Sequence, residues 1–122
     1  MRQLTDHISN PVNDRITIEV LDAPGAGGAP HEYALSYTTD DGQRPTYVLH
    51  FQHGGIAERG VTGITNEALL AVLIDRLAGF QAGPFPSDTN ASALEHCRQA
   101  LMALQERTRE RLARGVEGAT RP

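Results

Sequence analysis

Lysine and tryptophan are absent from this chain of 122 residues, cysteine occurs once, and the aromatic side chains are limited to three Phe and three Tyr. Each shortage removes a class of reading. Without lysine, all 11 basic side chains are arginines. The glycine run Gly25-Ala26-Gly27-Gly28 therefore lacks the Lys-Ser/Thr that completes a phosphate-binding P-loop. The single cysteine, Cys97, excludes an intrachain disulfide framework and fits a reducing compartment. No apolar run approaches the length of a membrane span. Residues 1–14 are polar and interrupted by Pro11, unlike a signal peptide. A net charge of −4 argues against general DNA binding, which depends on neutralising many phosphates. The length and composition are those of one soluble domain with a modest core.

The pattern that is present changes period halfway along. Residues 1–14 read as a flexible lead-in and residues 15–122 as a single domain, with an antiparallel sheet over 15–62 and a helical hairpin over 63–118. The β-branched run Ile16-Thr17-Ile18-Glu19-Val20 predicts a strand over 15–21. A second strand is expected over 32–37 and a third over 46–51, with Asp40-Asp41-Gly42 as the turn between them. A short fourth strand fits at 56–58. Thr65 then reads as an N-cap for a first helix running to about Phe80 and stopped by Gly83-Pro84 and Pro86. Its Leu69, Leu70, Val72, Leu73, Ile74 and Leu77 exceed one narrow stripe, which predicts neighbours on two sides. A second helix follows the capping candidates Ser87-Asp88-Thr89-Asn90, and Gly115 suits its C-terminal stop. The fold class is α+β, a small sheet of three to four strands followed by a two-helix antiparallel hairpin.

The densest charge is the arginine ladder Arg107-Thr108-Arg109-Glu110-Arg111-Leu112-Ala113-Arg114. At about 100° per residue, Arg107, Arg111 and Arg114 fall within roughly 60° of one another and Arg109 lies opposite. On the same wheel Leu94, Cys97, Leu101, Leu104, Thr108 and Leu112 form the core stripe, and the arginine stripe borders it. A solvated, salt-bridged helix end is one reading, because cations suit a helix C-terminus. An anion site is the other, because guanidinium forks match phosphate. From Arg98 onward six Arg stand against three Glu on an otherwise acidic chain. That local excess suits a small anion better than a long polyanion.

No arrangement of nucleophile, base and orienting group stands out, so no catalytic residue is assigned. Cys97 lies on the apolar stripe, and His50-x-x-His53 lacks a third ligand for a metal. Metal and cofactor are both expected to be absent. At the hairpin turn, Gly79-Phe80-Gln81-Ala82-Gly83-Pro84-Phe85 offers two aromatic rings. Either plugs the turn, or serves as a stacking face for a nucleobase, worth roughly 1–3 kcal/mol per base. Asn90 adds an amide, and the start of the second helix adds backbone donors. About 17 residues separate Asn90 from Arg107, or roughly 25 Å of helix. One small ligand cannot touch both ends in one protomer; a shared ligand needs an antiparallel partner subunit.

Several of these segments resemble a known family. They are Gly63-Ile64-Thr65-Asn66-Glu67-Ala68-Leu69-Leu70-Ala71-Val72-Leu73-Ile74-Asp75-Arg76-Leu77, the following Gly79–Phe85 stretch, Phe51-Gln52-His53-Gly54-Gly55-Ile56, and Arg107-Thr108-Arg109-Glu110-Arg111 with Arg114-Gly115-Val116-Glu117-Gly118. The chain from Tyr47 to Gly118 is similar to the first-described Thoeris anti-defence family of phage sponges, which shares its helical hairpin with an anti-CBASS sponge. One stretch departs: Pro86-Ser87-Asp88-Thr89-Asn90 stands where many relatives carry a cysteine-arginine-glutamate-asparagine run. The resemblance implies a non-enzymatic protein, cytoplasmic in an infected or lysogenic host, that sequesters cyclic nucleotide immune signals. Members bind cyclic ADP-ribose isomers across a homodimer, and some form hexamers that hold cyclic di- or trinucleotides. Carried onto this chain, Phe80 stacks adenine, Arg107 and Arg111 grip phosphates beside Arg114, and Asn90 makes polar contacts. Neither nucleic acid nor membrane is an expected partner. The rival expectations are a nucleotide-processing enzyme such as a phosphodiesterase, and an oligomeric interaction module with no small-molecule ligand.

Overall fold

A computed structural model describes residues 2–115, which divide at Gly63 and Ile64 into two compact units. The Val116-Glu117-Gly118 part of the family-like ending lies outside the described residues.

The first unit is a four-stranded antiparallel meander in the order β1 (Arg2–Leu4), β2 (Ile16–Val20), β3 (Glu32–Tyr37) and β4 (Thr46–His50). Three strands lie where the β-branched and alternating runs predict them. The fourth does not. Residues 56–58, expected as a strand, lie in the short helix α2 (Ile56–Arg59), started at Gly55 and stopped by Gly60 at φ +73°. The added strand is instead β1, within the expected lead-in, and it pairs Leu4 with Ile18 and Arg2 with Val20. A one-turn helix α1 (Pro11–Asp14) then reverses the chain; Asn10 accepts the Asn13 N–H, and Pro11 opens the turn where its missing donor costs nothing. Arg2-Gln3-Leu4, three residues long, carries almost no strand signal by itself. The exposed edge of β2 supplies the partner that makes it a strand.

Register puts Ile18, Leu35 and Tyr47 opposite one another, and likewise Val20, Tyr33 and Leu49. Alternation therefore gathers the apolar side chains on one face of the sheet. Val20, at 1% exposure, is its most deeply buried member. The β2–β3 connection is closed by Asp22. Its carboxylate accepts the backbone N–H groups of His31 (2.9 Å) and Glu32 (3.0 Å). After β4, the Gln52 amide donates to the carbonyls of Gly54 and Gly60 and accepts from the Thr62 N–H. Thr62 returns a bond to the His53 N–H. This short loop ends at Gly63, which passes directly over the end of β4.

The second unit is the hairpin of α3 (Asn66–Ala82) and α4 (Asp88–Ala113). Thr65 and Ser87 cap them, accepting from Ala68 N–H and Asn90 N–H at 3.1 Å each. The Gln81 side chain accepts the Ser87 N–H and closes the turn. Gly115, at φ +73°, ends α4 with its N–H on the Leu112 carbonyl. The half-buried side chains of α3 are Glu67, Leu69, Leu70, Ile74, Leu77, Ala78 and Gln81. The buried or half-buried side chains of α4 are Asn90, Leu94, Cys97, Leu101, Leu104, Thr108 and Arg111. The alternating spacings of four and three along α4 mark a coiled-coil-like seam, against which α3 packs antiparallel. Because α4 has 26 residues against 17 in α3, its last turns extend past the start of α3.

Candidate functional site

The sequence-predicted site residues fall at opposite ends of the hairpin. Phe80 closes α3, and Asn90 lies in the first turn of α4. Arg107, Arg111 and Arg114 occupy the far end of that helix. The helix is unbroken between Asn90 and Arg107, so their separation is the roughly 25 Å expected from its rise.

At the turn end, neither phenylalanine plugs the hairpin. Phe85 is 85% exposed and Phe80 is 47% exposed. One face of the Phe80 ring carries the guanidinium of Arg76, whose Cζ lies 5.0 Å from the ring centroid. Residues 76 and 80 are neighbours on one helix face, and the distance is within cation–π range. Sequence reasoning missed Arg76; the signal that would have found it is the four-residue spacing of an arginine before an aromatic. Asn90 is half-buried at the top of the seam. Its backbone N–H is spent on the Ser87 cap.

At the other end the three arginines differ. Arg111 is buried, at 7% exposure, whereas Leu112 is 62% exposed. The straight-helix wheel put Leu112 in the core stripe and Arg111 at its border, and the structure reverses them. A straight helix drifts about 20° per heptad relative to a 3.5-residue seam. Across the length from Leu94 the drift decides between two adjacent positions, and the supercoiled seam selects Arg111. Arg107 and Arg114 are exposed and make no ion pair among the described residues, so their donor forks are open to an anion. Arg109 is occupied by Glu106, one turn away on the exposed face. The ladder thus contains one buried rung, one self-paired rung and two exposed rungs with no ion pair among the described residues.

The histidines in the first unit do not form a ligand set. His50 pairs with Glu32 at 3.2 Å, while His53 stacks on His31 with ring centroids 4.3 Å apart and planes 5° from parallel. Among the described residues no three His, Cys, Asp or Glu side chains gather in a way that could hold a metal. Asp22 nearby is held below the usual carboxylate range. Burial raises its pKa, but N–H donation from Glu32 and His31, with the charge of His31, outweighs that effect. Cys97 is half-buried on the seam, as its place on the stripe predicted. Among the described residues no helix is long and apolar enough to cross a membrane.

Residues 48–109, from β4 through most of α4, match the family model described as Acb2/Tad1, hairpin domain. The chain belongs to the Acb2/Tad1 hairpin family. Over 70 residues it is also 46% identical to a Bacillus phage SBSphiJ7 protein named Thoeris anti-defense 1. That match takes in 57% of this chain and 49% of the relative, so the chain matches about half the length of the phage protein. The family match includes Phe80, Asn90, Arg76 and Arg107, but stops before Arg111 and Arg114.

Proposed function

We propose that this protein is a non-enzymatic anti-defence sponge that binds cyclic nucleotide immune signals and withholds them from their receptors. The ligands are cyclic ADP-ribose isomers, with cyclic di- or trinucleotides as further candidates. The observation that carries this reading is the 46% identity to Thoeris anti-defense 1, together with membership of the Acb2/Tad1 hairpin family. The hairpin has the chemistry the role needs. Phe80 presents a half-exposed ring for a base, Asn90 an amide, and Arg107 and Arg114 guanidinium donors not paired among the described residues. Charge-assisted contacts to phosphate are strong where water is excluded.

The binding unit is a homo-oligomer, at least a dimer. Two observations support it. The ends of α4 are too far apart for one small ligand, and the outer faces of α3 and α4 expose Val72, Leu73 and Met102. Fully burying such a side chain contributes about 1.5–3 kcal/mol, so covering this face by a second copy is favourable.

The test incubates the purified protein with a panel of cyclic ADP-ribose isomers and cyclic di- and trinucleotides, then destroys the protein by protease. Recovery of intact ligand is expected; a processed product would establish an enzyme instead, and no retention of any of them an interaction module. A Phe80→Ala/Arg107→Ala double variant is expected to lose retention by at least about 10-fold with little change in melting temperature, since Phe80 is half-exposed and Arg107 exposed.

A further inference from the structure

We infer that Arg76 is a positioning residue for the Phe80 platform, leaving one ring face for a nucleobase and biasing that face toward a neutral purine over a cationic ring. The inference rests on the reading that Phe80 stacks a base. Arg76 Cζ stands 5.0 Å from the Phe80 centroid, and the guanidinium makes no ion pair among the described residues. Its visible anchor is therefore the ring itself. Two consequences follow from that arrangement.

The first is steric. A guanidinium lying over one face of Phe80 excludes a base from that face, so the ligand approaches only from the other. It also restrains the ring, which otherwise samples several orientations at a half-exposed position, and so lowers the ordering cost of stacking. The second is electrostatic. A base stacked on the opposite face places its ring about 9 Å from the guanidinium carbon, summing the observed distance and a normal aromatic spacing. A neutral purine meets no charge penalty there. A purine carrying a positive charge meets a like charge across the ring, which at a partly exposed site lowers affinity by about 2- to 10-fold. Exposed cation–π pairs contribute little to folding. Replacing Arg76 should therefore change selectivity far more than stability.

The absence of tryptophan makes a clean test available. Phe80→Trp installs a lone indole at the platform of the full chain. Its emission is titrated with adenosine 5′-monophosphate and with 1-methyladenosine 5′-monophosphate, which has nearly the same shape but a charged base. The expected result is tighter binding of the neutral nucleotide by about 2- to 10-fold. Arg76→Met in the same background should bring that ratio close to one without moving the melting temperature, and Arg76→Lys should retain part of it. An unchanged ratio in Arg76→Met would overturn the role of Arg76 while leaving base stacking intact. Failure of both nucleotides to quench the indole would overturn the stacking reading and this inference with it.

Discussion

Gly63 offers the sharpest check on the packing logic of the first unit. A Cβ built on it would lie 2.2 Å from the His50 carbonyl oxygen, 2.6 Å from the His50 carbonyl carbon and 2.7 Å from the Phe51 carbonyl carbon. All three are backbone atoms, so no side chain can swing aside. Moving the closest contact from 2.2 Å to an ordinary separation of about 3.4 Å requires the crossing chain to shift by roughly 1 Å. That shift pulls on β4 at His50 and on the His53–Thr62 and Thr62–Gln52 hydrogen bonds that hold the adjoining loop. Overpacking commonly costs about 1–3 kcal/mol. Backbone opposition places Gly63→Ala at the upper end, about 3 kcal/mol, or a fall in melting temperature on the order of 10 °C or more. Gly79→Ala is the internal control. Nothing lies within 4 Å of its Cβ position, and it sits inside α3. Removing a helical glycine there should stabilise by about 0.5–1 kcal/mol. Thermal and urea melts of both variants at one protein concentration give the comparison. A Gly63→Ala variant as stable as the parent would refute the close approach of these backbones.

Two further outcomes test the seam and the β2–β3 loop. Arg111→Ala should destabilise by roughly 1–3 kcal/mol, because it removes a buried stem and charge, while Leu112→Ala should stay within about 0.5 kcal/mol; equal effects in chemical denaturation would return Leu112 to the core. Asp22 has a folded pKa below its reference value of 3.8. Its contribution is therefore fully present above about pH 4 and lost as pH falls through the lower folded value. Asp22→Asn should flatten the acid limb of melting temperature against pH, and an unaltered acid limb would show that the carboxylate does not stabilise the loop by its charge.

Local signals in the sequence located most elements. Thr65 revealed one helix start because a hydroxyl and an unsatisfied N–H are both local, and of the four capping candidates at 87–90 the structure uses Ser87. The strand boundaries were legible because β-branched runs end at glycine- and aspartate-rich turns. Arg2–Leu4 was not legible, since a three-residue edge strand has its cause in the neighbouring β2. Ile56–Arg59 was misread because a short apolar-polar run suits strand or helix, and the flanking Gly55 and Gly60 favour a single helical turn. The candidate site was half legible. Phe80 and the arginine ladder stood out by type and spacing, whereas their separate fates depended on packing.

The sequence alone determined the order of sheet and hairpin, the Thr65 cap, the all-arginine basic set and the roughly 25 Å between Asn90 and Arg107, because these follow from side-chain chemistry and helix rise. Tertiary structure alone decided that Arg111 enters the seam while Leu112 leaves it, and that Gly63 must lack a side chain. Those outcomes depend on supercoiling and on which atoms approach from elsewhere in the chain, and neither is encoded in the spacing of residues along one element.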